Sequence, residues 1–147
     1  MYEQLKLDNQ VCFRLYTASR LLTQAYRPML EPLGLTYPQY LVMMVLWEND
    51  NLTVNEIGRR LSLDSNTLTP LLKRMEDDGL VIRSQGLVDA RKKMVSLTKK
   101  GLRLEREAKD IPSCMAQRCT EAPLSKDEAA QLVASLDNMI NCLKKKQ

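Results

Sequence analysis

The stretch from Asp64 to Lys100 restricts the possible folds more than any other part of this chain. It lies within LDSNTLTPLLKRMEDDGL, followed at once by VIRSQGLVDARKKMVSLTKKG. In the first half Leu68, Leu71, Leu72 and Met75 recur at helical spacing. Asp64, Ser65 or Thr67 can cap the helix, and Gly79 suits a left-handed C-terminal stop. Pro70 fits the first turn if Thr67 is the cap, and otherwise kinks the helix. In the second half, Leu80 to Ser84 and Lys93 to Leu97 read as two short strands joined by a turn. A helix that runs directly into a cation-rich hairpin is the sequence form of a winged helix-turn-helix, a unit that places a helix in a DNA major groove.

The remaining segments are mainly helical. From Asn9 to about Met29, Val11, Leu15, Ala18, Leu22 and Tyr26 form an apolar stripe, with Asp8 as its expected N-cap. Pro32, Gly34 and Pro38 break this helix, and Pro38 suits the first turn of a second one running to about Trp47. Thr53 with Glu56 three residues later has capping-box form and opens a short helix to Arg60. After the wing, one helix is expected from about Lys99 to Cys119. Pro123 separates it from a last helix capped by Ser125, with Leu132, Leu136, Met139, Ile140 and Leu143 as its stripe. The expected fold class is therefore mainly α with a small β wing, in a single domain over 1–147. Within it the winged helix-turn-helix covers about 38–98. The helices at about 9–29 and 99–144 carry more apolar surface than the reading unit can bury. A second subunit is the simplest cover for them, and a two-fold dimer suits a palindromic DNA site.

Composition narrows the function. Hydrophobic residues make up 44% and charged residues 27%, which points to a folded rather than disordered chain. The longest apolar run, Tyr40 to Trp47, is far short of a membrane span. No basic region followed by an apolar stretch opens the sequence, so a cytoplasmic location without membrane attachment is expected. Histidine is absent, which removes the commonest general base and metal ligand. Cys12, Cys114, Cys119 and Cys142 show no zinc-like spacing, so no metal or cofactor is expected. The net charge of +4 is mild, but its distribution is not. Between Arg83 and Lys100, Arg83, Arg91, Lys92, Lys93, Lys99 and Lys100 face the single anion Asp89.

Ser65, Asn66, Thr67 and Thr69 are short polar residues near the start of the central helix. That end usually meets base edges, where Asn pairs with adenine and Thr touches a thymine methyl. Lys73 and Arg74, about a turn later, suit phosphates or a guanine. Taken alone, the helix is equally an ordinary surface helix with capping residues. Arg91 sharpens the case, because an arginine at a wing tip can enter the minor groove. Asp89 either holds that arginine by a charge-assisted contact or initiates the turn. Lys92 and Lys93 would add salt-sensitive phosphate contacts.

Cys12 falls within the first turn or so of the first helix. A helix N-terminus favours a thiolate, the form that reacts with peroxide, and phenols such as Tyr16, Tyr26, Tyr37 or Tyr40 could stabilise it. Taken alone, a cysteine on an apolar helical face is more often a packing residue than a reactive one.

With these motifs in place, the chain resembles the MarR family of winged-helix repressors. The likeness covers nearly the whole length, through the terminal helices, the capped helix at Thr53, the segment LDSNTLTPLLKRMEDDGL and the Asp89–Arg91 wing. LDNQVCFRLY, then Tyr26, then LGLTYPQYLVMMVLWE resembles its OhrR branch of organic hydroperoxide sensors. The resemblance implies a homodimer, dimerised through its terminal helices, that represses transcription from an inverted-repeat operator in double-stranded DNA. It implies that Cys12 is the oxidised thiol, and that Tyr26 and Tyr37 hydrogen-bond to it across the dimer interface. It also implies that the sulfenic acid is capped as a disulfide, by a small thiol or by a partner-subunit cysteine. In the two-cysteine type that partner corresponds to Cys119, with Cys114 as the alternative, because the local match contains an insertion around Glu121 to Leu124. Cys142 reads as a packing or surface thiol.

Four functions are compatible with these residues. The first is a redox-sensing repressor that is not an enzyme, released from DNA when an organic hydroperoxide oxidises Cys12. The second is a repressor released by a small aromatic ligand without thiol chemistry. A thiol peroxidase is third, although it lacks a dedicated base or reductant site and leaves the wing unexplained. A protein-interaction module is the last, and it predicts no salt-dependent DNA binding.

Overall fold

The computed structural model describes residues 1–120 and 124–145, with the side chains of Cys119 and Thr120 outside that description. Pro123 and most of the expected insertion from Glu121 to Leu124 also lie outside the described residues. The chain forms two compact units, Met1–Lys109 and Asp110–Gln147.

In the first unit, two short 3-10 turns, Glu3–Leu5 and Leu7–Asn9, precede helix α1, Val11–Leu30. The expected cap at Asp8 is not formed. The Gln10 N–H closes a turn onto Leu7 O at 3.0 Å, which draws Asp8 into that turn. Gln10 instead takes the extended N-cap backbone, without a side-chain cap. A 3-10 turn, Glu31–Leu33, and Gly34 at φ 69° end this segment. Helix α2, Tyr37–Glu48, starts from a full capping box between Thr36 and Gln39, with Pro38 in its first turn.

Strand β1, Leu52–Thr53, leads into α3, Val54–Leu61, whose capping box joins Thr53 and Glu56 as its sequence requires. Helix α4, Ser65–Asp77, is capped by Asp64, whose carboxylate accepts the Thr67 N–H at 2.8 Å. The Thr67 cap is therefore not used. Pro70 lies inside the helix and has no N–H to give the Asn66 carbonyl. Gly79 adopts φ 73° and ends the helix as expected.

Strands β2, Val81–Gln85, and β3, Lys93–Leu97, pair antiparallel, with Arg83 opposite Val95. The strand order is β1-β3-β2, because Leu52 and Thr53 pair with Val95 and Met94. The Asp50 carboxylate secures that edge by accepting the Leu97 N–H at 2.9 Å. Two residues of β1 carry no alternating pattern, so the sequence had no signal for this strand. The core gathers Val42, Met43 and Leu46 of α2, Ile57 of α3, Leu68, Leu72 and Met75 of α4, and Leu80, Val81 and Val95 around the sheet. Burying side chains of this size stabilises the fold by about 1.5–3 kcal/mol each, before the entropy cost of ordering them.

Helix α5, Lys99–Ala108, is capped by Thr98, whose hydroxyl accepts the Gly101 N–H at 3.0 Å. The single helix expected from Lys99 to Cys119 is instead two, because α6, Ile111–Thr120, begins after a turn at Lys109–Asp110. Pro112 accounts for the break. In a continuous helix its ring would collide with the Ala108 carbonyl, whereas in a first turn it costs nothing. In the second unit α6 is followed by α7, Lys126–Lys144, opened by a capping box between Ser125 and Glu128. Leu132, Val133, Met139, Ile140 and Leu143 of α7 are exposed, as are Val11, Phe13, Tyr16, Leu21 and Leu22 of α1. Among the described residues no helix is long and apolar enough to cross a membrane.

Candidate nucleic-acid interface and thiol

Helices α3 and α4 are joined by a tight turn in which Ser62 adopts φ 56° and the Leu63 N–H donates to Gly58 O at 2.9 Å. A Cβ on Gly58 would lie 2.8 Å from Leu63 O, so glycine lets the turn close. The apolar face of α4 is anchored, with Leu68, Leu72 and Met75 buried and Leu71 half-buried. Ser65, Asn66, Thr67, Thr69, Lys73 and Arg74 are all exposed. The side chains expected to read DNA are thus solvent-facing because the helix spends its other face on the core.

Glu76 joins this helix to the wing. Its carboxylate accepts the Arg83 backbone N–H at 2.9 Å and meets the Arg83 guanidinium at 3.1 Å. The Arg83 N–H, and then its side chain, hold the Glu76 carboxyl below the ordinary glutamate value.

At the wing tip the Gly86 N–H donates to Lys92 O at 2.7 Å and the Lys92 N–H to Asp89 O at 3.1 Å. Asp89 combines both roles considered for it. Its Oδ1 accepts the Arg91 backbone N–H at 3.0 Å, and the Arg91 Nε stands 3.6 Å from the same oxygen. The first contact shapes the turn, and the second is a loose ion pair that leaves the Arg91 side chain 95% exposed.

The wing and α4 share one open cleft of about 640 Å³, lined by Thr53, Val54, Asn55, Glu56, Arg59, Ser65, Thr69, Arg91, Lys92 and Lys93. Five of the residues singled out from the sequence therefore meet there: Ser65, Thr69, Arg91, Lys92 and Lys93. Asn66, Thr67, Lys73, Arg74 and Asp89 are not part of its lining. Asn55 and Arg59 were missed. The available signal was their place on the helix before α4, the one that crosses the DNA backbone in helix-turn-helix proteins. Glu56 is held below its ordinary value by the Thr53 backbone N–H first and the Thr53 hydroxyl next, while Arg59 and Lys92 act in the same direction. The cleft thus sets short hydrogen-bonding side chains and four cations around the single carboxylate of Glu56, a balance in which the cations suit phosphates and the polar side chains suit base edges.

Cys12 is the second residue of α1 and is exposed. The Gln10 side chain folds the preceding segment back by donating to Gln4 O at 2.7 Å and Lys6 O at 3.1 Å. Tyr26 and Tyr37 pack with ring centroids 4.8 Å apart and planes tilted by 43°, and the Tyr40 ring lies 5.9 Å from that of Tyr26. Burial raises the Tyr37 and Tyr40 phenols above their ordinary value, so both stay protonated and able to donate. Fourteen positions separate Cys12 from Tyr26 on one helix, about 21 Å at the helical rise. One chain cannot bring these two together, and a second copy could. Cys114 and Cys142 are exposed on α6 and α7, and the Cys119 side chain lies outside the described residues.

A helix-turn-helix followed by a β wing, with wing cations and the start of the second helix facing one cleft, defines a winged helix-turn-helix protein. The chain belongs to the MarR family, whose model matches residues 35–93. Over 145 residues it is 42% identical to the organic hydroperoxide resistance transcriptional regulator of Bacillus subtilis, covering 99% of this chain and 97% of that one. Among solved structures it is similar to AbfR of Staphylococcus epidermidis. Reduced AbfR bound to DNA matches with TM-score 0.78 and 39% identity, covering 96% of each chain. The disulfide form of AbfR matches with TM-score 0.65 and 40% identity, covering 94% of this chain and 95% of that one.

Proposed function

We propose that this protein is a homodimeric repressor that binds an inverted-repeat operator and leaves it when Cys12 is oxidised by an organic hydroperoxide. The shared cleft carries the DNA half of this reading, because it joins Ser65 and Thr69 of α4 to Arg91, Lys92 and Lys93 of the wing. Asn66, Thr67, Lys73 and Arg74 extend the same exposed surface along α4. The exposed apolar faces of α1 and α7 favour dimerisation through the terminal helices.

The sensing half rests on the exposed position of Cys12 and on the relatives, one a hydroperoxide resistance regulator and another solved in reduced and disulfide forms. The Cys12 thiolate attacks the terminal peroxide oxygen, the O–O bond breaks, and the alkoxide leaves and takes up a proton as an alcohol. The resulting sulfenic acid condenses with a second thiol, forming a disulfide and releasing water. Tyr26 and Tyr37 of one subunit would donate to the Cys12 sulfur of the other. Cys119 is the favoured protein thiol for the second step and Cys114 the alternative. Two reading heads must stand about 34–36 Å apart to share a site, so a modest rearrangement of the dimer helices lowers affinity.

Band-shift titration with and without cumene hydroperoxide, on wild type and Cys12→Ser, tests the switch. Wild type should release the DNA on oxidation while Cys12→Ser stays bound. Release of Cys12→Ser by the oxidant would overturn the mechanism, and release by a small aromatic ligand that persists in Cys12→Ser would favour a ligand-driven repressor.

A further inference from the structure

Leu87 and Val88, at the tip of the wing, are fully exposed. Single exposed apolar residues are ordinary, but two adjacent ones held outward on an ordered turn mark a contact surface. The turn is closed by the Gly86–Lys92 and Lys92–Asp89 backbone hydrogen bonds. It is also tight, since a Cβ on Gly86 would fall 2.6 Å from Asp89 O. Asp89 is the sole anion between Gly79 and Lys100, and its carboxylate is engaged with Arg91. The tip therefore presents an apolar pair beside Arg91, Lys92 and Lys93.

We propose that Leu87 and Val88 form an apolar wedge that enters the DNA minor groove beside Arg91 and unstacks the base step beneath the wing. This rests on the DNA-binding reading above. Charge complementarity selects the occupant, because the cations flanking the pair line the same cleft as Ser65 and Thr69. Apolar side chains inserted at a base step kink the duplex, and the deformation is easiest at pyrimidine–purine steps. The pair thus adds sequence preference without a hydrogen bond to any base, favouring TA or CA/TG steps at the operator flanks.

The test uses a short inverted-repeat duplex recovered from a random library by the wild-type protein, with 2-aminopurine placed at successive flank positions. Wild type should raise the fluorescence at one step in each flank. Leu87→Ser/Val88→Ser, whose fold is checked by circular dichroism, should lose that rise and bind about tenfold more weakly. Its salt dependence should be unchanged, since the phosphate contacts remain. Unchanged affinity and fluorescence in this variant would overturn the wedge while leaving DNA binding intact. Association of wild type with phosphatidylglycerol vesicles that depends on Leu87 and Val88, without any 2-aminopurine response, would also overturn it. Failure of wild type to retain any duplex would remove the DNA-binding reading itself, and the wedge with it.

Discussion

Gly101 meets the backbone of Leu80 so closely that a Cβ at position 101 would lie 2.3 Å from the Leu80 carbonyl oxygen. The Gly101 carbonyl in turn accepts the indole N–H of Trp47 at 3.0 Å, so α2, α5 and the start of the wing converge on one residue without a side chain.

Gly101→Ala is therefore expected to destabilise the protein by about 1–3 kcal/mol, as overpacking against a rigid backbone atom does. Helix propensity alone has the opposite sign, stabilising by up to about 1 kcal/mol. Urea unfolding followed by the fluorescence of the single tryptophan decides between them. A variant at least as stable as wild type would refute the close approach.

The Glu76–Arg83 contact predicts a pH dependence. The folded carboxyl is held below the ordinary 4.5, first by the Arg83 N–H and then by its side chain. The stabilisation it adds is fully present above that unfolded value and is lost as pH falls through the folded one. Denaturation midpoints measured from neutral pH down into the acid range should drop less steeply for Glu76→Gln than for wild type. Parallel curves would mean that Glu76 contributes nothing.

At the wing, Arg91→Ala should weaken DNA binding and reduce the salt slope by about one, the signature of one lost cationic contact. Asp89→Ala should also weaken binding, but with the slope kept, because it loosens the turn that positions Arg91. Fluorescence anisotropy over a range of salt concentrations separates the two. Equal slopes in Arg91→Ala and wild type would place Arg91 away from the DNA.

Tyr26→Phe and Tyr37→Phe retain the tilted ring contact while removing the hydroxyls. If these phenols serve the partner's Cys12, both variants should oxidise several-fold more slowly with cumene hydroperoxide. Rates equal to wild type would leave the pair as packing only. In the same assay, a covalent dimer on a non-reducing gel should vanish in Cys119→Ser and persist in Cys114→Ser. The reverse pattern would assign the second thiol to Cys114.

Much of the fold was legible because its signals are local. Thr53 with Glu56, the Gly79 stop, the α4 stripe and the β2–β3 hairpin each lie within a few residues and obey backbone sterics or helical periodicity. The cap at Gln10 instead of Asp8 was not legible, since it depends on side chains folding back over the preceding turns. The break before Pro112 was written in the chain but masked by a continuous run of helix-forming residues.

Helices α1 to α4 and α7, the β2–β3 wing and the exposed polar face of α4 could be read from the chain alone, because repeating apolar spacing dictates which side of each element is buried. Which charges meet was settled by the folded chain. It paired Glu76 with Arg83, placed Asn55 and Arg59 in the cleft with the wing cations, set β1 against β3, and required glycine at position 101. These contacts join residues distant in the chain, where close packing and electrostatics act through space and leave no periodic trace in sequence.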